Sequence, residues 1–187
     1  MAYTGLDRFI ARLRFRAALP HIKDQSRVCD VGCGLDAAFL TYAGSRIVRG
    51  AGIDDQAVNG NHTRWPVFRA DIYGGLPFGD GEFDHVVMLA VLEHLREPEI
   101  VLRETFRILC PGGSLVLTWP QSLVDPLLGM LHRLGFVSKE MESEEHQQRI
   151  PLPKLEEMLR QIGYQAFFHR RFELGLNNLL VSYKHGN

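Results

Sequence analysis

A strand that runs directly into a glycine turn and then a helix constrains the fold of this chain most. Residues 28–37 read VCDVGCGLDA, with a short apolar strand from Val28 to Val31. Gly32 and Gly34 lack a Cβ, so the backbone there can turn tightly and pass close to a ligand. In a doubly wound sheet such a turn lies at the carboxyl edge of the strands, where ligands bind. The segment therefore predicts an α/β sheet with a ligand site at this turn.

Strands and helices alternate along the chain that follows. Strands are predicted at 28–31, 47–53, 67–70, 83–89 and 114–118, with helices over 36–42 and from Pro98 to a Pro-Gly-Gly stop at 111–113. This alternation is typical of a mostly parallel sheet with helices on both faces. A weak helix is predicted over 122–134, a charged loop over 139–145, and a further helix from Pro153. The last strands, 165–172 and 176–183, are joined by too few residues for a parallel crossover, so they must pair antiparallel.

Size and charge restrict the class of protein. The 187 residues predict one domain, in which residues 1–23 form an N-terminal amphipathic helix extension. With 21 basic and 22 acidic side chains, no chain-wide positive field attracts nucleic acid. Three cysteines at no disulfide or zinc spacing indicate reduced thiols and no metal site. No signal peptide and no apolar run of about 20 residues are recognised, so we expect a cytoplasmic protein without a transmembrane segment.

Acidic residues around the glycine turn indicate a positively charged ligand. Gly32-x-Gly34-x-x-Ala37 also fits a relaxed dinucleotide fingerprint, but Asp30 and Asp36 would oppose a pyrophosphate at this helix start. About twenty residues after Gly34, an aspartate ends the second strand, where it could accept hydrogen bonds from ribose hydroxyls. S-adenosylmethionine, with its ammonium and sulfonium groups, suits such a site better than NAD.

Four sequence blocks together resemble the class I S-adenosylmethionine-dependent methyltransferases. They cover residues 28–34, 52–55, 69–78 and 83–113, in the order and spacing of that family, and the resemblance extends over about 28–119. The small-molecule branch, with the ubiquinone and menaquinone methyltransferases, is the most similar. We therefore predict a Rossmann-like, doubly wound, seven-stranded sheet of order 3-2-1-4-5-7-6, with the last strand inserted antiparallel between the fifth and sixth.

The resemblance implies a methyl-donor site at the ends of the first four strands. Asp30 would orient the ammonium group, Asp54 would bind the ribose and Asp71 would hold the adenine. Asp36 occupies the place of the family's usual third glycine, so the turn should differ slightly there. The full implied donor set is Asp30, Gly32, Cys33, Gly34, Asp54, Asp55, Asp71, Ile72 and Leu89.

Candidates for the acceptor side follow later strands. His94 and His146 could serve as a general base for a hydroxyl nucleophile, and Trp119 and Arg149 could contact the acceptor. The alternatives are a His94 that packs at a helix start, a solvated His146 and a Trp119 that closes the core. Aligning nucleophile and methyl group about 3 Å apart can provide most of the acceleration, so no catalytic residue is obligatory.

The predicted function is methyl transfer from S-adenosylmethionine to a small molecule. Leu89-Ala90-Val91 stands where many amine-methylating enzymes carry Asn-Pro-Pro-Tyr, which favours O- or C-methylation. The arginine-rich first helix suggests an anionic or lipid-linked acceptor, or peripheral membrane contact. Two alternatives remain: a catalytically silent binding protein of the same fold, and a small NAD-dependent oxidoreductase.

Overall fold

The computed structural model describes residues 5–57, 64–121 and 150–186. Its α-helices are α1 (Gly5–Ala18), α2 (Ala38–Ala43), α3 (Pro98–Ile108) and α4 (Leu152–Ile162). The strands are β1 (Ser26–Val31), β2 (Ile47–Asp54), β3 (Val67–Arg69), β4 (Phe83–Leu89), β5 (Leu109–Pro120), β6 (Tyr164–Phe172) and β7 (Asn177–Lys184). The predicted helix at 122–134 and loop at 139–145 lie outside the described residues.

The strands form one seven-stranded sheet of order β3-β2-β1-β4-β5-β7-β6. β1 pairs in parallel with β2 on one side and with β4 on the other, and β4 continues in parallel to β5. β7 pairs antiparallel with both β5 and β6. The predicted strand order and the antiparallel insertion of the last strand are therefore confirmed.

Helices cover both faces of the sheet. On one face, Ala18 of α1 and Leu40 of α2 pack with Val28 and Val116 from the strands. On the other face, Leu102 of α3 and Leu155 of α4 pack against further strand residues, including Val86, Leu115 and Leu117. The described residues are thus arranged as a doubly wound α/β layer structure. No helix among them is both long enough and apolar enough to cross a membrane.

Several predicted boundaries differ from the structure, and two of these differences lie at backbone turns. α2 begins at Ala38 rather than Asp36, because Ala37 before it adopts a left-handed φ of 45°. Residues 111–113 do not separate α3 from the next strand, because β5 already begins at Leu109. β5 includes Gly112, whose φ is 77°. Its pairing with β4 is irregular in register between Phe83 and His85 of β4.

The position of β7 between β5 and β6 gives a stability prediction. Leu180 on β7 has no exposed surface, whereas Leu174 in the turn before β7 is fully exposed. Leu180→Ala should lower the free energy of unfolding by about 2–5 kcal/mol, since it removes buried methyl groups and leaves a cavity. Leu174→Ala should change it by less than about 0.5 kcal/mol. Urea unfolding followed by circular dichroism measures both; equal effects would contradict a buried β7.

Candidate functional site

The turn after β1 is held against the end of β2. The amides of Gly32 and Cys33 donate to the carbonyl of Ile53 over 2.8 and 3.2 Å. Gly32 has a φ of 74°, and a Cβ there would lie 2.3 Å from Cγ2 of Val91. Only glycine fits at this position without displacing Val91. This contact joins the turn to the segment that follows β4.

Gly34 faces open space. Its φ is 69°, and a Cβ added there would meet no atom within 4 Å. Its amide donates to Oδ2 of Asp54 over 2.9 Å, while Oδ1 of the same carboxylate accepts from the amide of Gln56 at 2.9 Å. Asp54 therefore holds the turn in place. Because each carboxylate oxygen can accept more than one hydrogen bond, it can still receive ribose hydroxyls.

Asp30 is a buried carboxyl group beneath this turn, with 3% of its surface exposed. Burial raises the pKa of Asp30 to about 8, and the neighbouring charges of Asp54 and Asp36 act in the same direction. Burial also raises the pKa of the Cys33 thiol, with a further contribution from Asp30. The charges of Asp54 and Asp36 thus create a negative potential at this turn, which opposes ionisation of Asp30. A cationic ligand would relieve it.

The predicted adenine and ribose contacts lie at the neighbouring ends of β2 and β3. Asp71 caps the short helical turn Ile72–Gly74, because its Oδ1 accepts from the amide of Tyr73 over 2.9 Å. Its second oxygen makes no contribution to that cap. Asp55 is exposed, and its pKa is raised by partial burial and by Asp54. Leu89, at the end of β4, is half-buried.

Asp36 stands at the place of the missing third glycine and is exposed. The next residue, Ala37, adopts a left-handed φ of 45°. A left-handed φ costs a non-glycine residue about 1–2 kcal/mol. The turn therefore carries backbone strain at Ala37, and the expected difference from the family's turn stays a prediction.

Two of the four predicted acceptor-side residues, His94 and Trp119, lie in the part of the chain that the structure describes. His94 is half-buried in the turn Leu92–His94, and its amide donates to the carbonyl of Val91 over 3.0 Å. Trp119 is 8% exposed and belongs to the core on the α3 and α4 face. His146 and Arg149 lie outside the described residues. The proposed roles of all four stay predictions.

A buried polar group on the α1 face was not recognised in the sequence. Asn177 and Thr118 are 4% and 0% exposed, and Glu93 is 7% exposed. The charge of Arg14 interacts with those of Glu93 and Glu173. The group is named the Arg14 cluster below. Helical spacing could have indicated that Arg14 points inward, because it places Arg14 on the same face of α1 as the buried Ala18.

Comparisons with known proteins agree with this geometry. The family described as methyltransferase domain matches residues 3–167. Sterol 24-C-methyltransferase of Schizosaccharomyces pombe is 34% identical over 54% of this chain and 30% of its own length. The 27-O-demethylrifamycin SV methyltransferase of Amycolatopsis mediterranei is 31% identical over 59% of this chain and 42% of its own length. The chain thus spans less than half the length of these curated relatives.

The fold is shared with a solved structure. The S-adenosylmethionine-dependent methyltransferase of Archaeoglobus fulgidus superposes with a TM-score of 0.71 at 17% identity, covering 95% of this chain and 94% of the other. At this identity the likeness concerns the fold alone.

The buried Asp30 predicts a pH-dependent stability. The pKa of Asp30 is about 8 in the folded state, which is higher than its pKa in the unfolded chain. The folded state therefore binds the proton more tightly, so the stability of the wild type should fall as the pH rises from about 4 to 8. Asp30→Asn removes this loss. The variant should therefore gain stability over wild type between pH 5 and pH 8 in urea unfolding. Asp24→Asn, at an exposed position, should show no such gain; equal behaviour of the two variants would refute a buried charge at Asp30.

Proposed function

The chain belongs to the methyltransferase domain family, and on that premise we propose that it transfers a methyl group from S-adenosylmethionine to a small-molecule acceptor. The observation that carries the proposal is the buried carboxyl group of Asp30 beside the open space at Gly34. When bound, S-adenosylmethionine supplies a methyl group on a positively charged sulfur. Its ammonium group would favour the ionised form of Asp30, which the fold alone disfavours.

The described residues suit each part of this donor. Gly34 leaves its backbone exposed for close approach, and Asp54 offers carboxylate oxygens at the end of β2. Asp71 keeps one oxygen outside its cap for an adenine amino group. β1 and β4 are paired, with Asp30 next to the last residue of β1 and Leu89 at the end of β4, so the methyl group would lie between the glycine turn and Leu89. These assignments rest on the residues' positions and charges.

The acceptor is proposed to be methylated on oxygen or carbon. The names of the curated relatives support both, since one acts at a sterol carbon and the other concerns a rifamycin oxygen. His94 and His146 remain the proposed base candidates, and Trp119 and Arg149 the proposed acceptor contacts. The protein would accelerate the reaction mainly by holding the nucleophile and the methyl group in line, because this alignment can supply most of the acceleration.

An NAD-dependent reaction is less well supported. The charges of Asp36 and Asp54 both act on the buried carboxyl group of Asp30 at the glycine turn. A pyrophosphate at the same turn would add two negative charges to this potential, at a high electrostatic cost. The alternative of a silent binding protein has no specific observation in its favour.

We further propose a cytoplasmic location and a peripheral contact with an anionic lipid surface. Arg8, Arg12 and Arg16 are spaced four residues apart on α1 and are exposed, and Phe9 beside them is 57% exposed. A basic stripe with an apolar residue suits an anionic membrane surface. We therefore propose the lipid-surface contact for this outer stripe, and the anionic or lipid-linked acceptor that the same arginines suggested stays a prediction.

Removal of Asp54 should weaken donor binding. Asp54→Ala should reduce the affinity for S-adenosylmethionine by about 1.5–3 kcal/mol, the range for hydrogen bonds to charged groups. Isothermal calorimetry with S-adenosylmethionine and, separately, with NAD tests both the residue and the cofactor. Asp24→Ala is the exposed control and should bind like wild type. Wild type that binds NAD but not S-adenosylmethionine would exclude the proposed function.

A matched glycine pair separates donor contact from backbone strain. Gly34→Ala and Gly112→Ala both introduce a Cβ at positive φ with nothing within 4 Å, but Gly112 lies at the opposite edge of the sheet. Each should cost about 1–2 kcal/mol of stability. Gly34→Ala alone should also weaken S-adenosylmethionine binding in the same calorimetric assay. Equal donor affinities in the two variants would place the donor away from the glycine turn.

A further inference from the structure

Building on the proposed methyl transfer, we propose that the Arg14 cluster binds a hydroxyl group of an uncharged acceptor. The cluster consists of Arg14, Glu93, Thr118, Glu173 and Asn177. It comes from α1, the segment after β4, the end of β5 and the turn into β7. Four separate parts of the chain thus place polar side chains on one face at the carboxyl edge of the sheet.

Strand register places the cluster beside the donor site. Thr118 on β5 pairs with Leu89 on β4 and with Leu179 on β7. Asn177 lies two residues before Leu179, which puts it diagonally across from Thr118 at about 7–8 Å. Leu89 and Leu179 belong to the core on the α1 face. Side chains alternate along strands, so Thr118 and Asn177 point to that face as well.

The cluster contains buried polar atoms without a hydrogen-bond partner in the part of the chain that the structure describes. They are Nε of Arg14, Oγ1 of Thr118, Oε1 of Glu173 and Oδ1 of Asn177. Buried polar atoms in folded proteins nearly always have a partner, so a group of four indicates a missing ligand. Two of the four atoms can only accept a hydrogen bond, and the Thr118 hydroxyl can do so too. A ligand that donates hydrogen bonds, such as an alcohol, matches this set.

The charges of the cluster argue against an anionic acceptor. Arg14 lies near both Glu93 and Glu173, whose charges favour its protonated form although burial lowers its pKa. One guanidinium is thus set against two carboxyl groups. Burial raises the pKa of Glu173, while Arg14 and the amide of Asn177, which donates to its Oε2, oppose that shift. An added carboxylate would meet repulsion that an uncharged hydroxyl avoids.

The backbone at Glu173 supports a functional role for its position. Glu173 and Leu174 have φ values of 52° and 56°, a left-handed conformation that non-glycine residues adopt at a cost. Unfavourable backbone conformations of this kind are concentrated at binding and active sites. Here the turn directs a charged side chain inward to Asn177 rather than into solvent.

Three probes with one carbon skeleton test the proposal. Cyclohexylmethanol, cyclohexanecarboxylate and cyclohexylmethylamine are titrated into the protein saturated with S-adenosylhomocysteine at neutral pH. The side-chain amide signal of Asn177 is followed by nuclear magnetic resonance. The alcohol should shift this signal with at least tenfold higher affinity than the carboxylate. Equal or tighter binding of the carboxylate or the amine, or no shift with any probe, overturns the proposal.

A matched pair of variants separates recognition from a purely structural role. Glu173→Gln keeps the size of the side chain and an oxygen for Asn177 but removes one negative charge. It should reduce the preference for alcohol over carboxylate by about tenfold. Glu99→Gln, on the exposed face of α3, should leave the preference unchanged. An unchanged preference in a folded Glu173→Gln overturns the proposal; if that variant does not fold, the wild-type comparison decides.

Failure of this inference can be distinguished from failure of the proposed function. Calorimetry with S-adenosylmethionine is performed on the same samples of wild type and both variants. If the donor binds and the probes do not prefer the alcohol, the acceptor assignment alone is wrong. If the donor does not bind at all, the proposed function is wrong and the acceptor assignment falls with it.

Discussion

The parallel pairing of β1 with β4 is the constraint on which the rest of the structure depends. Asp30 of β1 is in register with Val87 of β4, while β2 pairs with the other side of β1. The chain therefore winds outward through β2 and β3 and returns to start again at β4. The segments after β1 and β4 both leave the sheet at its carboxyl edge, where ligands bind in sheets of this kind. Gly32 of the glycine turn lies against Val91 there, so the two segments fix each other's position.

Two features at the carboxyl edge of the sheet suit a cationic ligand but lower the stability of the fold. The carboxyl group of Asp30 is held in an environment that raises its pKa, and Ala37 is held in a left-handed conformation. Each feature is unfavourable for the isolated fold and useful for a cationic ligand that approaches the backbone closely. The core on both faces of the sheet must offset these costs.

Local patterns predicted most of the fold. The apolar run Phe83–Leu89 matched β4 at both ends, because a strand buried on both faces carries a continuous pattern. The short link before β7 fixed its antiparallel pairing. The start of β5 was missed, because Pro-Gly-Gly at 111–113 resembles a helix stop whereas the strand passes through it. The Arg14 cluster was missed because Glu173 and Asn177 lie far from Arg14 in the sequence, and no local pattern connects them.

The insertion of β7 explains how residues far apart in the sequence come together in the Arg14 cluster. Because β7 runs antiparallel to both neighbours, β6 ends and β7 begins at the same carboxyl edge where β1 and β4 end. Glu173 in the connecting turn is thereby brought to the level of the donor site, although β6 and β7 belong to the far side of the sheet. The proposed donor residues come from β1 to β4, whereas the Arg14 cluster also draws on α1 and this turn. On these proposals, substitutions in α1 or in the β6–β7 turn would change acceptor preference while the donor residues stay the same.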